Sequence, residues 1–199
     1  MARKRRGCPP GEIFHLCNRA AGGLTLFQNS FDYLQFTQVV REALQKFPVC
    51  LYAYCVMPNH WHFLVQARKP GAISRFMHWF GTTHAARYRK SQGTTGRGAV
   101  YQNRFRSHPV NGSCAFFKTA AYIERNAASA GLVQEAAAWP WTSAKSPPSL
   151  PLTTWHYPKP KNWLRFLADP IDPATLRQLL QSEISGQAFE SLKNEKTGV

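Results

Sequence analysis

Met57-Pro58-Asn59-His60-Trp61-His62-Phe63-Leu64-Val65-Gln66 is the stretch on which the reading of this chain turns. Proline fixes φ and asparagine tolerates turn geometry, so Met57-Pro58-Asn59 predicts a tight turn. The residues before it, Val49 to Val56, are rich in strand formers, and the turn therefore joins two antiparallel strands. In the returning strand, His60 to Gln66, alternate side chains share a face. Trp61, Phe63 and Val65 project to one side and His60 and His62 to the other. Two imidazoles on one rigid strand can chelate a divalent ion, but half-buried polar strand histidines have the same spacing.

The flanking patterns give the rest of the fold. Glu12 to Asn18 alternates Ile13, His15 and Cys17 against Phe14 and Leu16, which predicts a first strand followed by a Gly22-Gly23 turn. From Asp32, apolar residues at Tyr33, Phe36, Val39, Val40, Ala43, Leu44 and Phe47 have the spacing of an amphipathic helix that Pro48 stops. Lys69-Pro70-Gly71 ends the histidine strand, and Ile73 to Lys90 predicts a second helix with Phe76, Met77, Trp79 and Phe80 on its apolar side. After a glycine-rich loop over 93–98, Val100 to Val110 predicts a fourth strand with room for a bulge. A third helix is expected from about Cys114 to Ala130, with Gly131 at its C-terminal cap. The order β-α-β-β-α-β plus a helix is an α+β, ferredoxin-like antiparallel sheet. In that topology strands one and three are central, two helices cover one face, and His60 and His62 look out on the other, toward the third helix. A basic arm (1–10) precedes the domain (11–145). The Pro/Trp-rich extension (146–199) reads as a cover over it with one short helix near Leu176, Leu179, Leu180 and Ile184.

Composition narrows the partner. Lys and Arg outnumber Asp and Glu by 25 to 10, a net charge of +15, which suits a polyanion. The cations are interleaved with aromatics and form no clean basic amphipathic helix, which favours nucleic acid over a membrane surface. Five cysteines without a C-x-x-C pair argue against a disulfide framework and a zinc ribbon, so reduced thiols in the cytoplasm are expected. No secretory signal or membrane span is expected.

The third helix carries Tyr122-Ile123-Glu124-Arg125-Asn126, and residues four apart share a helix face. If that face docks over the histidine side of the sheet, His60, His62 and Asn126 can ligate a metal beside the Tyr122 phenol, the parts needed for phosphoryl transfer. Taken singly, Tyr122 is as readily a rim tyrosine and Asn126 a surface residue. His15 either faces the same site from the neighbouring strand or is a sheet histidine whose hydrogen bonds are met within the sheet; the second reading is preferred. His78, His84, His108 and His156 receive no role.

With these motifs the chain resembles the single-tyrosine HUH endonucleases and, more narrowly, the REP-associated tyrosine transposases. The matching stretches are Met57–Val65, Gly98–Phe105, Tyr122–Val133 and Trp139–Ser143, within roughly residues 11 to 145. Ala127-Ala128 departs from the proline and bulkier residue of many relatives, which bears on the helix bend more than on the chemistry. The resemblance implies Mg²⁺ or Mn²⁺ on His60, His62 and Asn126. It also implies attack by Tyr122 on single-stranded DNA, leaving a 5′-phosphotyrosine and a free 3′-hydroxyl. The implied substrate is a REP palindrome folded as a hairpin, with an adjacent guide tetranucleotide. Relatives include dimers that exchange the tyrosine helix; the long tail here favours a monomer, nucleoid-associated in the cytoplasm.

Arg3, Lys4, Arg5 and Arg6 in the arm, Arg87, Arg89 and Lys90 at a helix end, and Arg97, Arg104 and Arg106 are the expected phosphate contacts. Tyr88, Tyr101, Phe105 and Trp155 are candidates to stack on bases, at least two of them being core residues instead. Two further readings compete. One is a non-catalytic DNA- or RNA-hairpin-binding module with a vestigial site. The other is a structural zinc protein using His60, His62 and Cys55, in which metal removal should unfold the domain.

Overall fold

The computed structural model describes residues 8–185 and 189–190, so Arg3, Lys4, Arg5 and Arg6 lie outside the described residues. β1 (Ile13–Arg19), α1 (Ser30–Lys46), β2 (Val49–Met57), β3 (His60–Ala67), α2 (Ala72–Ser91) and β4 (Arg106–Asn111) follow in the expected order, and α3 (Gly112–Ser129) comes next. The sheet order is β2-β3-β1-β4, antiparallel throughout, with β3 and β1 central. A two-residue strand, β5 (Phe189–Glu190), adds in parallel to β4, an element too short to show periodicity.

Local chemistry sets the element ends. The Asn29 side chain accepts hydrogen bonds from the Phe31 and Asp32 amides and caps α1, whose run of apolar residues ends before Pro48. At the far end of α3, Gly131 adopts φ 71°, its amide donates to the Ala128 carbonyl, and the Leu132 amide donates to the Ala127 carbonyl. That is a Schellman ending with glycine one residue beyond the cap, where a β-carbon would be strained.

The two faces of the sheet carry separate cores. Phe14, Leu16, Trp61, Phe63 and Val65 pack with Phe36, Val39 and Val40 of α1 and Phe76 and Phe80 of α2. On the other face Ile13, Leu64 and Val110 meet Phe116, Ala120 and Ile123 of α3. A bulge between Leu51 and Ala53 lets β2 keep this partition while its alternation changes phase: Cys50 and Tyr52 before it, and Ala53, Cys55 and Met57 after it, all join the α3 side.

The structure corrects the sequence-based picture in two places. The expected strand over 100–110 is really two short pairings. Val100 and Tyr101 pair with the end of β1, and β4 proper begins at Arg106. Asn103 to Phe105 leave the ladder after the Gln102 amide has donated to the Arg19 carbonyl, because their alternation belongs to a loop rather than to a face of the sheet. The tail, expected as a cover, instead completes the second core. Just ahead of the tail, and within the expected domain bounds, residues 141–143 run along the open edge of β2, with the Val56 amide donating to the Trp141 carbonyl and the Ser143 amide to the Tyr54 carbonyl. Trp155, Tyr157 and Trp163 then pack around Phe116 and Phe117. Two helices follow where one was expected, α4 (Trp163–Ala168) and α5 (Pro173–Ser185). Among the described residues, no helix is long and apolar enough to cross a membrane.

Candidate active site

Antiparallel register places Cys17 opposite His62, Arg19 opposite His60, and His15 opposite both Leu64 and His108. The alternation that buries Trp61 and Phe63 under α1 and α2 therefore lines up His60, His62, His15 and His108 across the α3 face of the sheet. His15 Nε2 and His62 Nδ1 lie 2.9 Å apart with their rings stacked at 5.1 Å, and His108 is 5.8 Å from His15, centroid to centroid. Tyr122 comes down on this row from α3. Its ring stands edge-on to His62 at 5.7 Å and to His15 at 5.9 Å. One turn later the Asn126 side chain hydrogen-bonds to His60. His60, His62, Tyr122 and Asn126 are thus brought together as their spacing predicts.

Burial governs the protonation of this row. Removal from water disfavours the imidazolium, pushing His15 down to about 3, with His108 adding to the effect, and holding His62 well below its ordinary value. His60 is also lowered, by burial first and then by the Arg19 charge, against a smaller opposing contribution from the Asn126 hydrogen bond. Neutral imidazole is the form that ligates metal.

The donor arrangement fits a cation. His60 Nδ1 is 2.7 Å from Asn59 Oδ1, and His62 Nδ1 is engaged by His15, so that in both rings Nε2 is the nitrogen suited to a ligand. Holding one ring nitrogen to orient the other is how metal-binding histidines are normally supported. That gives His15 a place beside the site in addition to its satisfied hydrogen bond, so both readings of it describe one geometry. A second grouping, His15, Cys17 and His62, has donor atoms within 4.8 Å of one another, all buried. It is metal-capable too, although His15 would have to give up the nitrogen that holds His62. Cys55 faces the same side but is pushed up to about 12 by burial and has its Sγ 3.8 Å from Met57 Sδ, which does not suit the zinc reading.

The row opens into a cleft of about 230 Å³ lined by His60, His62, Tyr122 and Cys17 and rimmed by Arg19, Arg104 and Arg106. Arg19 was missed by sequence reasoning, although the alternation Ile13, His15, Cys17 continues to it. His108 was missed as well, and shares its face with Arg106 and Val110. The other expected cations among the described residues lie outside this cleft. Arg87 is paired with Glu42 at 2.8 Å, Arg89 ties the Gly98 and Ala99 carbonyls and Thr94 together, and Lys90 and Arg97 are exposed elsewhere. Of the candidate stacking aromatics, Tyr88 belongs to the first core and Trp155 packs into the second. Tyr101 bonds the buried His84 at 2.7 Å, and Phe105 is half-buried in the loop beside the cleft.

Histidines paired on a central strand beneath a helix tyrosine, in an arginine-rimmed cleft, point to the class of nucleic-acid-processing proteins. The sequence profile of the IS200-like transposases matches residues 14–126, more than half of the chain and every residue gathered at the cleft, and the chain belongs to that family. By family it is a DNA-processing enzyme. Among solved structures, that of a REP-associated tyrosine transposase bound to a REP hairpin aligns with a TM-score of 0.59. The alignment covers 72% of this chain and 82% of that one at 17% identity, a likeness of fold. No curated protein matches the chain.

Proposed function

We propose that this protein is a metal-dependent single-stranded DNA endonuclease and strand transferase that acts on REP-type hairpins through a 5′-phosphotyrosine. The observation that carries the reading is the Tyr122 ring standing edge-on to His62 and His15 over a cleft rimmed by three arginines. In water a phenol ionises near about pH 10, so an attacking tyrosine needs positive charge nearby to favour its ionised form. Arg19, Arg104 and Arg106 supply charge that holds a phosphodiester at the cleft mouth.

His60, His62 and Asn126 would hold Mg²⁺ or Mn²⁺, which when bound polarises the phosphate. The Tyr122 oxygen bonds to phosphorus, the phenolic proton leaves to solvent, the P–O3′ bond breaks, and the 3′ oxygen takes a proton. The phosphotyrosine keeps the energy of the broken linkage, so transfer to another 3′-hydroxyl needs no nucleotide hydrolysis. The likeness of fold to a transposase bound to a REP hairpin supports a hairpin substrate; an adjacent guide tetranucleotide is part of the reading and rests on the sequence resemblance alone. On this reading residues 11–145 form the catalytic domain, the tail completes its second core, and the protein works as a monomer in the cytoplasm at the nucleoid.

The test is incubation with Mn²⁺ and a labelled DNA hairpin carrying a single-stranded extension. A denaturation-resistant adduct is expected with wild type and none with Tyr122→Phe. No adduct with wild type, or an undiminished one with the variant, overturns the nuclease and leaves a hairpin-binding module.

A further inference from the structure

α2 carries a glycine that its helix does not need. Gly81 lies in the helix interior, outside the left-handed region, and a β-carbon there would meet nothing within 4 Å. Glycine inside a helix is destabilising relative to alanine, and neither backbone geometry nor close packing accounts for it here.

Gly81 faces a cavity of about 580 Å³ between α2 and the 101–105 segment, a size typical of small-molecule sites. The half-buried Tyr101 and Phe105, with Met77, give it apolar walls, and Arg75 adds a cation. Asn18, Asn103 and Arg104 line both this cavity and the cleft that holds His60, His62 and Tyr122, so the two spaces adjoin. Apolar and aromatic walls match the faces of a nucleobase; the Asn103 amide can donate to and accept from its edge, Asn18 being held to the Asn103 carbonyl and the Arg19 amide; and the arginines match the phosphates on either side of it.

We propose that this cavity takes one unpaired nucleobase of the DNA strand that passes Tyr122, and that Gly81 keeps it open. The proposal rests on the nuclease reading for the path of the strand, whereas occupancy of the cavity is tested by binding alone.

The probe is a DNA hairpin with a four-nucleotide single-stranded extension, its best-bound sequence selected from a randomised pool. Each extension base is then replaced in turn by an abasic site. One position should weaken binding to wild type by about tenfold, the scale of losing one stacked base. Gly81→Leu, which projects into the cavity where the base would lie, should weaken binding of the intact probe to the same degree and show no further loss when that same base is removed. Gly81→Ala should raise Tm while weakening binding, so that stability and DNA affinity move in opposite directions. Ala86→Leu, on the exposed side of α2, should bind as wild type does.

Binding by folded Gly81→Leu equal to wild type overturns the proposal, as do losses that simply add. Should Gly81→Leu not fold, the abasic scan on wild type and the Gly81→Ala pair decide: no sensitive position, or Gly81→Ala binding as wild type does, overturns it. If the coupled loss is found but no Tyr122 adduct forms, the nuclease reading falls and the nucleobase site stands.

Discussion

Replacement of Glu124 should separate its hydrogen bonding from its charge. Glu124 sits on α3 between Tyr122 and Asn126 and is wholly buried; it accepts from Ser143 Oγ and from Trp163 Nε1, both at 2.6 Å. It joins the tyrosine helix to the strip along β2 and to α4. Glu124→Ala strands the Trp163 indole N–H, removes a second hydrogen bond and opens a cavity. A buried donor left unpaired costs about 1–3 kcal/mol, and release of an unfavourably buried charge offsets part of the rest, so a net loss of about 2–4 kcal/mol is expected. At about 2–4 °C per kcal/mol for a chain of this size, Tm should fall on the order of 10 °C. Glu124→Gln can still accept from Trp163 and donate to Ser143, whose hydroxyl can turn to the Tyr54 carbonyl at 3.3 Å. It should stay within about 1 kcal/mol of wild type at pH 7.

The sign of the pH dependence follows from burial, which raises the Glu124 pKa above its ordinary value against the lowering influence of Lys159, Ser143 and Trp163. A raised carboxyl pKa contributes stability in full below its unfolded value and loses it as pH climbs through the folded one. Urea denaturation from pH 7 toward pH 4 should therefore move wild type upward relative to Glu124→Gln. An alanine variant within 1 kcal/mol of wild type, or a glutamine variant as damaged as alanine, would refute the account.

Two other measurements follow from the charges. His15 and His84 both have their pKa pushed down to about 3 by burial, so each contributes stability in full above about pH 6.5 and loses it as pH falls toward 3, at about 1.4 kcal/mol per unit. His84→Gln should flatten the acid limb of a stability-versus-pH curve, and an unchanged limb counts against the buried-neutral histidine. For DNA, Arg19→Ala should weaken binding and lower the slope of log K against log salt by about 1, whereas Arg87→Ala should leave that slope unchanged and cost about 0.5 kcal/mol through its Glu42 pair. Equal slopes for the two variants would show that the cleft does not hold the phosphate.

How much was legible in the sequence depends on the length of the pattern. Phe14 to Cys17 and Trp61 to Gln66 alternate over several residues with one face buried, and an error of one residue would turn every apolar side chain outward. The facing of His60 and His62 was therefore fixed by the same pattern that fixed the strand. The Tyr122 and Asn126 pairing was legible for the analogous reason on a helix. Asn103 to Phe105 were not, because a loop of mixed residues between two short pairings imitates alternation. The role of Trp163 was hidden as well: its partner Glu124 is 39 residues away, and α4 spans six residues, too few for a period. Arg19 was passed over although it continued a face already identified.

The long patterns and the site have a common physical origin. α3 must cover the open face of the sheet, because Ile13, Leu64 and Val110 would otherwise be left in water. That cover also seals His15 and His62, and sealing them disfavours their charged form. A neutral pair is able to share one hydrogen bond, in which His62 Nδ1–H donating to His15 Nε2 is the arrangement that keeps the proton off His62 Nε2. Hydrophobic closure thus selects the neutral form of the row, and the same helix that closes the face carries Tyr122 and Asn126 to it. A charge placed in this row, such as His108→Lys, should oppose closure and ligation together, whereas a charge on the outer surface of α1 or α2 should disturb neither.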